Sequence, residues 1–392
     1  FQLNLFQRMQ TWFVEHTGFG TLGNRIEERL FGNNFSQDTA HSESSASSMN
    51  SSISFSSLQS SHTNSPSSIS STRSIARARS PLPVLGAAPT DFVGNGPWHN
   101  SSALHLADLK GKVVLVDFWT YSCINCIRTL PYIQTYWEKY GSTPIKTSNF
   151  VVVGVHTPEF TFEKSTANVD MAIKEHKLTY PIVQDNDYAT WEAFNNRYWP
   201  AKYLIDAEGN IRYAHFGEGN YEETDKAIAS LLQEIGATSK KDTALPVTEK
   251  TSAFSISPET YLHSRSWEQF ANRKGKPDAA SHEYTLPTNI AVNTFALGGT
   301  WRLVDDERQL LESAEGKIVY NALAGEVNLV LGLKDGSPPV KADVSVDGKP
   351  FTSFTIDHHD LYTLYKGAYG RHEVTLTLHG AGVEAFAYTF GG

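Results

Sequence analysis

The sequence predicts an α/β domain with a mixed sheet, followed by an all-β sandwich of roughly jelly-roll type. Three observations carry this. From about Pro81 to Lys240, strand-like and helix-like stretches alternate. After Asp242 the helical periodicity nearly disappears, and short strands recur between Gly, Pro and Asp turns. At 392 residues, with 40% apolar and 19% charged side chains, the chain is long enough for two ordinary cores. The predicted organisation is an amphipathic segment over 1–32, a linker over 33–80, an α/β domain over 81–240 and a β-sandwich over 241–392.

Each part has its own reason. Leu5, Met9, Trp12 and Phe13 fall at helical spacing, a face suited to a protein neighbour or a membrane interface. In 33–80, serine takes 20 of 48 positions, so no apolar face can form. A flexible chain of that length spans about 40 Å.

In the α/β part, Val113–Trp119 is a buried-type strand, and a helical pattern runs on to Tyr140. Next come a strand over Phe150–His156, a helix from about Glu163 to Lys177 and a short apolar segment over Tyr180–Val183. Ala201–Asp206 and Ile211–Phe216 then form a hairpin around Glu208-Gly209-Asn210, and Glu222–Ile235 closes the domain as a helix. In the last part, 317–320, 326–331, 342–346, 372–378 and 383–390 read as strands, and Asp347-Gly348 as a type I′ turn.

Charge and length exclude some functions. A net charge of −9 argues against a nucleic-acid footprint, and no run of about 18 apolar residues is present to span a bilayer. The chain begins with Phe1 and shows no basic-then-apolar leader, so a targeting or membrane part is expected upstream.

The only two cysteines, Cys123 and Cys126, sit two residues apart where the first long strand meets the first helix. A strand feeding a CxxC at a helix N-terminus is the sequence form of a thiol–disulfide site. The helix-end amides favour a thiolate, and the spacing lets a second thiol close a disulfide. Cys123, nearer the helix start, is the expected nucleophile; Cys126, one turn in, the expected resolving thiol. Asp117 is a charge inside an apolar strand. It either accepts the proton of Cys126 from a buried position or marks a strand end with a hydrogen-bond partner. Trp199-Pro200 opens the Ala201 strand, as a cis bond or an ordinary trans turn.

With these residues in place, 81–240 resembles a thioredoxin-fold protein: Val-Asp-Phe-Trp119 before the CxxC, Pro131 within its helix, and Pro200 before the hairpin. The resemblance implies a cis Pro200 beside the disulfide and a Trp199 backbone that pairs with a substrate chain. It also implies docking contacts from Trp119 and Tyr121. Phe118–Cys126, Gly154-Val-His-Thr-Pro-Glu-Phe160, Asp185–Trp191, Asn196–Pro200, Phe216–Tyr221, Ser257–Tyr261 and the final Val383–Gly391 are similar to DipZ-type proteins. In that family a CcdA-like membrane electron conduit precedes a TlpA-like thioredoxin domain and a carbohydrate-binding-module-like β-sandwich.

The likeness to that family implies an extracytoplasmic, membrane-tethered disulfide reductase. It would be fed by a CcdA-like membrane donor and act on protein disulfides, for example in cytochrome c maturation. It would need no cofactor beyond the Cys123–Cys126 disulfide. The chain departs at Ser122, where thioredoxin has Trp, and at Thr129, where cytochrome-maturation relatives often carry Glu. Proton transfer is therefore expected from Asp117, with Glu159 and His156 as further acid–base candidates.

Other chemistries compete. Zinc needs four ligands; there is no second cysteine pair, and His358-His359 could supply nitrogen ligands only by folding across domains, so no metal is expected. Thr120-Tyr-Ser-Cys123 with Arg197 fits a thiol peroxidase. The sandwich offers cell-wall glycan binding through Trp301, Tyr362, Tyr365 and Tyr369, centred on Leu361–Tyr369.

Overall fold

A computed structural model describes residues 80, 82–94, 96–238, 243–246 and 255–391. The amphipathic segment, most of the serine-rich linker and the 240/241 boundary lie outside the described residues. Among those described, no helix is long and apolar enough to cross a membrane.

The N-terminal half is built on a seven-stranded sheet. In chain order its elements are β1 (Gly86–Ala87), β2 (Trp98–His99), β3 (Val113–Trp119), α1 (Ile124–Tyr140), β4 (Phe150–His156), α2 (Thr166–Glu175), β5 (Ile182–Gln184), α3 (Ala189–Ala193), β6 (Ala201–Ile205), β7 (Asn210–Phe216) and α4 (Tyr221–Glu234). The sheet order is β1-β7-β6-β3-β4-β5-β2, with β3, β4 and β5 parallel and β6 and β7 antiparallel. The expected mixed sheet is therefore present.

β3 and β4 are buried at every residue, as central strands covered on both faces must be. Alternation along β3 divides its side chains. Val113, Leu115 and Trp119 pack with α1 and α4, while Val114, Val116 and Phe118 pack with Trp191, Phe194 and Tyr203. Asp117 follows the first set by parity.

Some boundaries differ from the sequence pattern. The helix expected from Glu163 begins at Thr166, because Ser165 caps it by accepting from the Asn168 amide; Glu163 lies in a one-turn 3₁₀ helix before it. The hairpin turn forms at Gly209, whose φ of +92° suits glycine, and Asp206 accepts from the Glu208 and Asn210 amides.

The C-terminal half is all β: β8 (Thr260–Tyr261), β9 (Ser281–Tyr284), β10 (Phe295–Val304), β11 (Arg308–Leu311), β12 (Gly316–Leu333), β13 (Val340–Val346), β14 (Lys349–Ile356), β15 (Asp360–Leu378) and β16 (Val383–Gly391). The two short strands expected within 317–331 are one strand. It pairs with β10 at its start and β16 at its end, with a register shift between Ala324 and Glu326. β15 follows it along almost its whole length, within one nine-stranded sheet. Asp347 and Gly348 both have positive φ, as a type I′ turn requires.

The two halves meet through an aromatic seam. Phe160 and Phe162, from the stretch after β4, pack on Tyr261, Val330, Phe386 and Ala387 of the β domain. Burying each such ring removes apolar surface worth about 1.5–3 kcal/mol from water.

Candidate active site

α1 begins directly after Cys123, whose Sγ accepts from the Cys126 amide at 3.3 Å and so serves as the helix N-cap. Cys123 is half-buried and Cys126 wholly buried, and both are free thiols in this structure. Burial pushes the Cys126 thiol well above its ordinary range, and its contact with Cys123 and the charge of Asp117 add to this. The inner thiol is therefore protonated at neutral pH and needs a base before it can act.

Asp117 lies close enough for its charge to act on that thiol. It is fully buried, and neither carboxylate oxygen has a hydrogen-bond partner among the described residues. Burial raises its pKa to about 7, with Lys202 pulling the other way. The alternative of a hydrogen-bonded strand-end aspartate is not what the structure holds.

Lys202 is the residue that the sequence analysis missed. It pairs with Asp117 across β3–β6, is fully buried, and donates to the Gly217 carbonyl at 3.1 Å. Burial lowers its pKa while Asp117 opposes the fall. A signal was available: a lysine inside Ala-Lys-Tyr-Leu-Ile is as odd as the aspartate inside Val-Leu-Val-Asp-Phe-Trp.

The other expected residues fall in several places. The Trp199–Pro200 bond is cis. Trp199 is half-buried, donates through Nε1 to the Thr157 carbonyl at 3.0 Å, and packs against Trp191 at 4.2 Å. Trp119 and Tyr121, expected in docking, are buried instead. The Trp119 ring meets His156 edge-on at 5.0 Å, and Tyr121 stacks on the same imidazole at 5.7 Å. Alternation turns Trp119 into the core, so neither ring presents a face to a partner.

His156 is enclosed between those rings, and burial drives its pKa down to about 3. It is neutral at working pH, with Thr120 Oγ1 at 3.4 Å from Nε2. That contact turns Thr120 toward His156. Arg197 is held on its own loop by the Asn196 carbonyl and the Asn195 side chain.

Glu159 points into the domain seam, where it accepts from the Tyr261 hydroxyl at 2.5 Å. Enclosure of its carboxylate, with Glu259 nearby, pushes its pKa up to about 8. Glu163, four residues on, is a second residue the sequence reasoning missed. It is buried and accepts from Ser122 Oγ at 2.6 Å, Ser122 N at 3.4 Å, Glu159 N at 2.5 Å and Phe160 N at 2.9 Å. Burial raises its pKa, and those hydrogen bonds oppose the rise. No sequence pattern announces it, since its partners come from two separate loops.

Thr129 is buried and bonded to the Tyr221 hydroxyl at 3.3 Å. The glycan candidates do not form one exposed face. Trp301 is fully buried with Nε1 donating to Gly298, and Tyr365 is buried with its hydroxyl on Ala368. Both are core residues, because inward positions of a β layer collect the large rings. Tyr362 is half-buried on Phe354, and Tyr369 bonds to the Ser255 carbonyl. His358 pairs with Asp357 and Asp360, whereas His359 pairs with Glu384 and stacks on Phe162.

Comparison with known proteins agrees with this layout. Residues 87–232 match the Redoxin family, and residues 257–391 match the family described as Thioredoxin like C-terminal domain. Protein DipZ of Mycobacterium bovis and of Mycobacterium tuberculosis are each 34% identical over 322 residues, covering 79% of this chain and 44% of theirs. Thiol-disulfide oxidoreductase YkuV of Bacillus subtilis is 28% identical over 158 residues, 40% of this chain and 98% of its own. A cysteine pair capping a helix, on a sheet of this order with a cis proline opposite, defines a thioredoxin-like protein. Its redoxin half is followed by the thioredoxin-like C-terminal domain, and with that pairing the chain is similar to the DipZ proteins. It spans less than half the length of the DipZ relatives it matches.

Proposed function

We propose that the chain catalyses thiol–disulfide exchange, working as a disulfide reductase on protein substrates. One observation carries the exchange chemistry: a half-exposed Cys123 caps α1, backed by a buried Cys126 and a buried Asp117 whose carboxylate has no hydrogen-bond partner among the described residues. The reductase direction rests on the likeness to DipZ-type proteins.

The Cys123 thiolate attacks one sulfur of the substrate disulfide. The substrate S–S bond breaks, its second sulfur leaves as a thiolate and takes a proton from water, and a mixed disulfide remains on Cys123. Asp117 then accepts the proton of Cys126. The Cys126 thiolate attacks Cys123 Sγ, releasing the second substrate thiolate and leaving a Cys123–Cys126 disulfide. Two electrons have passed from the dithiol to the substrate. Trp199, beside the cis Pro200, supplies backbone for strand addition by the substrate chain.

An external dithiol must reset the pair. The likeness to DipZ-type proteins supports a CcdA-like membrane donor on the extracytoplasmic face, with disulfide-bearing proteins such as those of cytochrome c maturation as substrates. The test is the equilibrium potential of Cys123–Cys126 in a glutathione or dithiothreitol series, together with turnover on a protein disulfide. A value toward the thioredoxin end, about −270 mV, is expected, and Cys123→Ser should abolish turnover. A value near the DsbA end, about −120 mV, would overturn the reductase direction.

A further inference from the structure

The β domain grips the redox half at two places that flank the cysteines. On one side, Arg128, in the second turn of α1, reaches Glu218 at 3.4 Å and Glu326 of β12 at 3.3 Å. On the other, the loop after β4 is pinned through Phe160 and Phe162 to Phe386, and through Glu159 to the Tyr261 hydroxyl. That hydroxyl also lies 3.0 Å from Glu259 Oε2. A phenol has one proton, so of its two carboxyl neighbours one must itself carry a proton to complete both contacts.

Glu163 joins this pinned loop to the nucleophile. Three of its contacts are backbone N–H donors and the Ser122 and Thr120 hydroxyls add side-chain ones, so its buried carboxylate can serve the amides only as an acceptor. Two come from Glu159 and Phe160, the residues the β domain holds. Two more come from Ser122, the residue immediately before Cys123. One carboxylate thus fixes the backbone entering the redox motif against a loop fixed by the other domain. Replacing it with an amide would set a donor against donors on one side or the other, and an unsatisfied buried group is costly.

We propose that Glu163 is a positioning residue for the exchange reaction: it holds Ser122, and hence Cys123 in its helix-capping place, against the loop that Tyr261 and Phe386 of the β domain secure. The β domain is on this account a working part of the redox site. This rests on the exchange reading above. It extends that reading because Glu163 touches neither sulfur and acts through Ser122.

The experiment uses the full chain with Glu163→Gln, Tyr261→Phe and the double variant. Three readouts are taken: kcat and KM for reduction of a protein disulfide, the alkylation rate of reduced Cys123 by iodoacetamide at pH 7, and thermal unfolding. Glu163→Gln should lower kcat about fivefold or more with KM within twofold, and slow alkylation about threefold, because the placement of Cys123 Sγ at the start of α1 is loosened. Tyr261→Phe, which removes one oxygen far along the chain from the CxxC, should lower kcat about twofold. The double variant should be no slower than Glu163→Gln alone, since both act through one loop. If the two effects multiply independently, the inter-domain link is wrong. If Glu163→Gln lowers only the melting temperature and leaves kcat and alkylation unchanged, Glu163 is structural and the proposal falls. Alkylation needs no disulfide substrate, so it reads Glu163 even if the wild-type chain reduces nothing, an outcome that would defeat the exchange reading instead.

Discussion

Lys202 stands opposite Asp117 in the β3–β6 ladder, and the parity of both strands turns the two side chains toward the face that carries Cys126. Its ammonium donates to Gly217 and lies 5.8 Å from the Tyr221 ring, so its charge is free to act on Asp117 through space. The lysine and the surrounding apolar wall pull in opposite directions on the carboxyl, which titrates near 7 as a result. A carboxyl poised there is half-ionised near neutral pH, as the proposed proton acceptor for Cys126 would need to be.

Asp117 must be ionised to take the Cys126 proton, so resolution of a mixed disulfide should speed up as pH rises through about 7. Lys202→Met removes the stabilising cation and should move that midpoint upward by about one unit or more. Asp117→Asn should slow resolution about 10²-fold and flatten the profile. Stopped-flow release of a thiol from a preformed Cys123 mixed disulfide checks all three. A midpoint unmoved in Lys202→Met would remove the lysine from the account.

Cys126→Ser should accumulate a stable mixed disulfide with substrate, because the half-exposed Cys123 can still attack while nothing resolves the product. Non-reducing electrophoresis and mass spectrometry read this directly. Peroxide consumption that survives the same substitution would point to sulfenic acid chemistry at Cys123 instead.

The seam should respond to pH. Glu159 ionises near 4.5 in the unfolded chain and near 8 in the folded one, so the native state binds the extra proton between those values. Its contribution to stability is fully present below pH 4.5 and is lost as pH rises through 8. Denaturant midpoints should fall across that window in the wild type and fall less in Glu159→Gln, in which the amide keeps a donor at the same place. Equal slopes in both proteins would count against the shared proton.

Phe386→Ala should cost about 3–5 kcal/mol, since the ring is buried between Phe160 and Phe162 and its removal leaves a void. Trp301→Ala should cost a similar amount, as expected of a core ring. Chemical denaturation of the full chain measures both.

Much of the redox half was legible in the sequence because its signals are local. Val113–Trp119, the helix from Ile124 and the hairpin at Gly209 arise from apolar runs and one turn glycine. Pro200 needed the family likeness, since a proline before a strand does not declare its isomer. The β domain was harder to read. The pattern gives separate strands at 317–320 and 326–331, yet the chain runs through the register shift at Ala324/Glu326 as one long strand. Trp301 and Tyr365 looked like platforms because composition does not say which face of a strand meets solvent. Glu163 was invisible for a different reason: its partners are brought together only by the crossing of two loops.

The packing of Phe160 and Phe162 on Tyr261 and Phe386 also bears on how such a chain can change over time. A smaller ring on either side opens a hole that only the other side can refill, so these four positions are expected to drift in concert. The redox half and its β neighbour would then be inherited as a pair, and a chimera joining halves from distant relatives would fold well only if both faces of the seam came from one parent.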